Sequence, residues 1–198
     1  MAIIDGYKIR DQYGLHFLTF TIVGWVDIFT RQQCKDIVID SMQYCVDNKG
    51  LHVHAYVIMP SHIHVIWSCK EGFDGLSGIV KDFKKFTSNQ ILHWVTTNKK
   101  ESRADWLQVV FKYHAKYNTN NKFFQVWIQN NQPQELLHPK FTRQKLLYIH
   151  NNPIEAGIFT EQHHYQYSSA ALYMDLGTSI RLSISIIDFG VEGGYVYA

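Results

Sequence analysis

The chain has 198 residues, 46% of them apolar and 15% aromatic, enough to bury one sizeable core, which excludes disordered and collagen-like classes. Its net charge of +2 conceals an asymmetry: residues 81–145 hold 12 Lys/Arg against 4 Asp/Glu, residues 1–80 hold 6 against 8, and residues 146–198 hold 1 against 5. A basic middle between acidic ends points to a phosphate-rich partner. Cys34, Cys45 and Cys69 form no C-x-x-C pair and leave one thiol over in any disulfide scheme, so buried thiols in a reducing compartment are expected. There is no run of about 18 apolar residues and no signal-peptide pattern, so the expectations are a cytoplasmic protein, nucleoid-associated when bound to DNA, and no membrane partner.

In chain order, His16 to Phe29 is rich in β-branched and aromatic residues and reads as a strand. Thr30 offers an N-cap to a helix marked by Cys34, Ile37, Val38, Met42, Cys45 and Val46, which the Asn48/Gly50 pair stops. Two paired strands, LHVHAYVIM and HIHVIWS, flank Met59-Pro60-Ser61. A second long helix begins after Asp74, with Leu76, Ile79, Val80, Phe83, Phe86 and Ile91 on one side and Lys81, Lys84 and Lys85 on the other. A helix over Arg103–Lys116, a short strand over Phe123–Ile128, and a helix capped by Thr142 that runs through Tyr148 and stops before Pro153 complete the pattern. The order suits an α+β, ferredoxin-like sandwich: an antiparallel sheet with helices packed on one face. One catalytic domain over residues 1–178 and a C-terminal tail over 179–198 are expected.

Three constellations could carry chemistry. Residues i and i+2 of a strand share a face, so His62 and His64 can present two imidazoles to one ion; His52 and His54 repeat the spacing, and on spacing alone either pair qualifies. Residues i and i+4 of a helix also share a face, which sets the phenol of Tyr148 beside the amide of Asn152. A phenol with a reference pKa of about 10 needs help from a nearby charge or base before it attacks phosphorus. The third constellation is the basic middle itself, in which Lys81, Lys84, Lys85, Lys99, Lys100, Arg103, Arg143 and Lys145 are candidate DNA contacts. Interleaved Trp94, Trp106, Phe111, Tyr113 and Trp127 are candidate stacking surfaces for unpaired bases. Nucleotide-binding glycine loops, G-x-S-x-G and H-E-x-x-H are all missing, which removes support for P-loop enzymes, dehydrogenases, α/β-hydrolases and zincins.

Taken together, Met59-Pro60-Ser61-His62-Ile63-His64 and Tyr148-Ile149-His150-Asn151-Asn152-Pro153 resemble the single-tyrosine HUH transposases, most closely the REP-associated tyrosine transposases. The likeness extends to Leu76–Thr87, to Phe124–Trp127 and to Tyr167–Ala170. It implies an HUH-type ferredoxin-like domain, a divalent cation (Mg²⁺ or Mn²⁺) held by His62, His64 and Asn152, and Tyr148 as nucleophile. It implies single-stranded DNA, hairpins included, as partner, and a homodimer. It also decides between the two His-x-His pairs in favour of the second. The implied reaction is cleavage and joining of single strands through a 5′-phosphotyrosine, with the released 3′-hydroxyl able to reverse the step, so that neither ATP nor a hydrolytic water is needed. Asn130-Asn131-Gln132-Pro133 departs from the family pattern, which often has a histidine before the proline. The alternatives are a domesticated protein that binds DNA hairpins without cutting and a metal-dependent hydrolase using a water nucleophile.

Overall fold

The computed structural model describes residues 8–116, 123–129 and 131–190. Four antiparallel strands, β1 (His16–Thr21), β2 (Leu51–Ile58), β3 (His62–Cys69) and β4 (Gln134–Glu135), lie in the order β2-β3-β1-β4. Helix α1 (Gln32–Lys49) crosses from β1 to β2, and β3 inserts between those two strands, which is the split β-α-β arrangement of a ferredoxin-like α+β fold. Helices α2 (Leu76–Thr97), α3 (Ala104–Ala115) and α4 (Pro139–Glu155) follow. The cysteines are all unpaired and buried.

The register of β1 on β3 divides the sheet into two faces. Leu18 opposes Val65 and Phe20 opposes Ile63 on one face, while Thr19 opposes His64 on the other. Phe20 and Trp67 pack on Phe83 of α2, so the first face carries the main core. Tyr148 of α4 meets His64, so α4 lies on the second face. The helices therefore cover both sides of the sheet rather than one, because the His62/His64 face also carries Phe17 and Ile66, apolar surface that a helix must cover.

Local structure differs from the sequence reading at four places. The first strand ends at Thr21, since the chain turns through two short 3₁₀ segments, Val23–Trp25 and Ile28–Thr30, with Gly24 and Trp25 both at positive φ. Thr30 does not cap α1: its hydroxyl donates to the Asp27 carbonyl at 2.8 Å, and Arg31 is the cap residue. Residues 123–128 make a single bridge, Trp127 to Ile22, because Gln125 N–H turns to Phe111 of α3 and the Ile128 carbonyl to Lys84; the fourth strand is Gln134–Glu135. Helix α4 starts at Pro139, holds Thr142 in its interior and continues through Pro153 to Glu155. A proline in the last turn removes one hydrogen bond near the helix end and leaves the rest intact. The stop at Gly50 is as read, with the left-handed φ of 68° that a helix-ending glycine supplies.

The outer edge of β2 is covered. Tyr167 and Ser168 pair with its second half, and Ser185 N–H donates to the Val53 carbonyl at 2.8 Å, so the described part of the C-terminal tail, 179–190, straps the first half. Residues 191–198 of that tail and Asn130 of the departing Asn-Asn-Gln-Pro run lie outside the described residues.

Candidate active site

Strand alternation sends Ile63 and Val65 into the core and turns His62 and His64 to the α4 face, with ring centroids 4.8 Å apart. On α4, Tyr148 and Asn152 are one turn apart on the side facing the sheet, while Leu146, Ile149 and His150 are buried. The Tyr148 hydroxyl stands 3.4 Å from Nε2 of His64. Asn152, 8% exposed, hydrogen-bonds His62 through its side chain. The four residues read from two distant motifs thus meet in one chain, although Tyr148 lies 84 residues beyond His64.

Each imidazole has a support. Nδ1 of His64 is 2.9 Å from the Thr19 hydroxyl, which leaves Nε2 toward Tyr148, and the ring stacks on Phe17 at 5.4 Å. Nδ1 of His62 is 3.2 Å from the Ser61 hydroxyl, and the ring meets Trp25 edge to face at 5.6 Å. Burial lowers both imidazole pKa values. That of His64 falls to about 3, helped by the neighbouring His62 and the ammonium of Lys145. Both rings are therefore neutral near pH 7, with lone pairs to offer. Lys145 lies 4.7 Å above the Phe17 ring and 5.8 Å from that of Tyr148, which puts a positive charge beside the phenol.

The donor set fits a divalent cation. Two neutral imidazoles and an amide oxygen would leave a bound divalent ion its full charge. Among the described residues no three His, Cys, Asp or Glu side chains converge, so a third donor beside the two imidazoles would have to be of another type, and the amide of Asn152 stands there. The other His-x-His pair is differently placed: Nδ1 of His54 contacts the Ser185 carbonyl and Nε2 the Ser68 hydroxyl, both at 2.8 Å, so that ring ties β2 to the tail and to β3.

The basic residues separate into several environments. Lys81 and Lys85 are exposed beside a groove of about 660 Å³ between α2 and residues 124–129. Lys84 reaches inward, bonding the carbonyls of Ile128 (2.7 Å) and Gln129 (3.2 Å) and Oδ1 of Asn131 (2.9 Å); burial lowers its pKa to about 8. Lys99 and Lys100 are exposed between α2 and α3, and Arg143 is half-buried on α4. Arg103 is engaged by Glu101 (3.1 Å) and Asp27 (2.5 Å). Of the aromatic residues read as stacking surfaces, Trp106 and Tyr113 are exposed and Trp94 is half-buried. Phe111 and Trp127 are core residues, the latter donating Nε1–H to the Thr87 hydroxyl at 2.9 Å. Sequence reasoning missed Trp25, Thr19, Phe17 and Ser61. The first was absorbed into an over-long strand, and the others carry no pattern without the register that brings them to the histidines.

Comparison with protein-family models finds no match, and comparison with curated protein sequences finds none. Among solved structures, the fold matches that of a REP-associated tyrosine transposase bound to a REP hairpin, over 92% of this chain and 94% of that one, with a TM-score of 0.57 and 19% identity. A Deinococcus radiodurans protein described as a transposase matches over 73% of this chain and 95% of its own, with a TM-score of 0.35 and 16% identity. A bacterial tRNA(His) guanylyltransferase-like protein in complex with ATP matches over 87% and 73%, with a TM-score of 0.42 and 9% identity. Neither of the last two superpositions is close enough to bear on function. The chain thus has the α+β fold of a REP-associated tyrosine transposase. No described helix is long and apolar enough to cross a membrane.

Proposed function

We propose that this protein is a metal-dependent single-stranded DNA endonuclease and strand transferase in which Tyr148 is the nucleophile and His62, His64 and Asn152 hold the cation. The observation that carries the reading is the approach of the Tyr148 hydroxyl to His64, beside His62 and Asn152, in one chain. The fold shared with a transposase bound to a DNA hairpin supports it, and so does the basic middle of the chain. A bound Mg²⁺ or Mn²⁺ would supply Lewis-acid polarisation of a non-bridging phosphate oxygen.

The chain's own residues do the rest. The Tyr148 oxygen gives up its proton and bonds to phosphorus while the bond from phosphorus to the 3′ oxygen breaks. That oxygen takes up a proton and leaves as a free hydroxyl, and the 5′ phosphate stays on the tyrosine. Lys145 sets positive charge 5.8 Å from the centre of the Tyr148 ring. Thr19 and Phe17 hold His64 in place, and Ser61 holds His62. Because the phosphotyrosine is an ester like the bond it replaces, a 3′-hydroxyl can reverse the step onto another end. All four side chains belong to a single chain.

The experiment is incubation of the protein with labelled single-stranded DNA and Mn²⁺, followed by denaturing electrophoresis. A labelled, SDS-resistant and protease-sensitive band is expected. Binding of hairpin DNA without such a band would favour the non-cleaving reading, and release of two protein-free fragments would favour the hydrolase.

A further inference from the structure

The rings of Tyr148, His64 and His62 form a row that Trp25 continues, with neighbouring centroids 4.8–5.6 Å apart. Trp25 is 64% exposed, more than any other tryptophan of the chain. Its φ is 54°, in the left-handed region that bulky side chains avoid, and it follows Gly24 at 64°. The surroundings impose this conformation. Ile22 N–H is fixed to the Ser61 carbonyl and Val23 N–H to the Val126 carbonyl, each at 2.9 Å, and Trp25 N–H closes the turn onto the Ile22 carbonyl at 3.0 Å. Ile22, Val23 and Val26 are all buried. The flanking residues are thus anchored in the core while the turn lifts the largest side chain into solvent beside His62. An indole is the side chain with most to gain from burial. Strained backbone that holds one outside is characteristic of ligand clamps.

We propose that Trp25 is a stacking platform for an unpaired nucleobase, one belonging to the strand whose phosphate sits at Tyr148 and His64. This rests on the function proposed above and adds a substrate contact to it. A single strand threaded along the ring row presents phosphates to the histidines and Lys145, and its bases must lie against something; an exposed indole offers a flat surface to any of the four. The site is accordingly selective for unpaired strands and tolerant of sequence, since a base inside a duplex cannot leave its stack without cost.

The test measures affinity of the full chain by fluorescence anisotropy in two strands, a labelled pool of random 30-nucleotide single strands and a 30-unit abasic strand of the same charge, without divalent cation. Trp25→Ala is expected to weaken binding of the pool by about 5- to 150-fold, the range for loss of one stacked base. Trp25→Phe should stay close to wild type, and it keeps the test open if the alanine variant misfolds. On the abasic strand the three proteins should bind alike. Unchanged affinity of Trp25→Ala for the pool would overturn the proposal, as would an equal loss on the abasic strand, which would mean that the indole only shelters His62. Covalent adduct formation, measured separately on Tyr148→Phe and wild type, reports the parent reading. Base-dependent loss in Trp25→Ala without any wild-type adduct would sink the cleavage chemistry and leave the platform standing. Failure of the wild type to bind either strand overturns both.

Discussion

The phenol oxygen of Tyr148 is 3.4 Å from Nε2 of His64, between residues 84 apart in sequence. That contact joins the helix that follows the basic middle to the strand that precedes it. Because Nδ1 of His64 is already engaged by Thr19, Nε2 alone faces the phenol.

Tyr148→Phe removes one oxygen and keeps the ring that packs against Phe17 and His64. The variant should lose at most the net value of one hydrogen bond, about 0.5–1.5 kcal/mol of stability. It should retain DNA affinity and form no covalent adduct. An adduct at wild-type yield, read on a denaturing gel, would remove Tyr148 from the chemistry.

A site assembled within one chain makes a prediction about mixtures. Tyr148→Phe and His64→Ala, each inactive, should stay inactive when combined, since no mixed assembly restores a complete site. Adduct formation in the mixture at about a quarter of the wild-type level would mean that Tyr148 acts on the histidines of a partner chain, as expected if half the dimers are mixed and one of the two sites in each is intact.

The three lysines of α2 should separate in their effects. Lys81 and Lys85 are exposed beside the groove, so alanine at either should weaken single-stranded DNA binding and flatten its dependence on log salt by up to about one unit per lost phosphate contact. Lys84 ties the backbone at Ile128 and Gln129 to α2, so Lys84→Ala should also lower the denaturation midpoint. Equal thermal stability of all three alanine variants would contradict this division.

Arg103 illustrates why a cation in a basic region is not automatically a DNA contact. Glu101, whose side chain is fully buried, takes Arg31 at 2.7 Å and Arg103 at 3.1 Å, and the Arg31 hydrogen bond leads in holding its carboxyl down to about 2. Arg103→Ala should cost about 1.5–3 kcal/mol, the range for a hydrogen bond to a charged group, since Arg31 still neutralises Glu101, with little change in DNA affinity. The carboxyl is depressed, so its stabilisation is present above the usual carboxylate range and lost as pH falls toward 2. Urea titrations between pH 5 and 2.5 should show that loss in wild type and a smaller one in the variant.

His150, two residues past Tyr148, is fully buried, with Nε2 2.8 Å from the Ser169 hydroxyl, and Ser169 in turn receives the Tyr56 N–H of β2. Burial pushes its pKa down to about 3. Below the ordinary histidine range the unfolded chain takes up a proton that the folded chain refuses, so stability present above about pH 6.5 declines as pH falls toward 3, by about 1.4 kcal/mol per unit. His64 acts in the same direction. His150→Gln should flatten the decline between pH 6.5 and 5 by about 2 kcal/mol in chemical denaturation. An unchanged slope would show that the buried imidazole is not the group being titrated.

What the sequence determined by itself was set by local period and by short motifs. Alternation in HIHVIWS put His62 and His64 on one face. Helical spacing put Tyr148 beside Asn152, and the β-α-β-β-α order selected a ferredoxin-like sheet. The first two need only a few neighbouring residues, and the third only the succession of locally patterned segments. The tertiary structure decided the rest. Whether Tyr148 reaches His64 depends on α4 crossing the sheet face opposite α2, and the pattern of α4 alone does not say which face it covers. Charge counting placed Lys84 and Arg103 with the other cations, yet their partners, Ile128, Gln129, Asn131, Asp27 and Glu101, arrive from other segments. The same holds for Trp127, an aromatic residue that the fold buries, and for Trp25, one that it exposes. Side-chain type and spacing describe what a residue can do; burial and electrostatic pairing are long-range sums over the folded chain, and they decide which of those capacities remain available to a ligand.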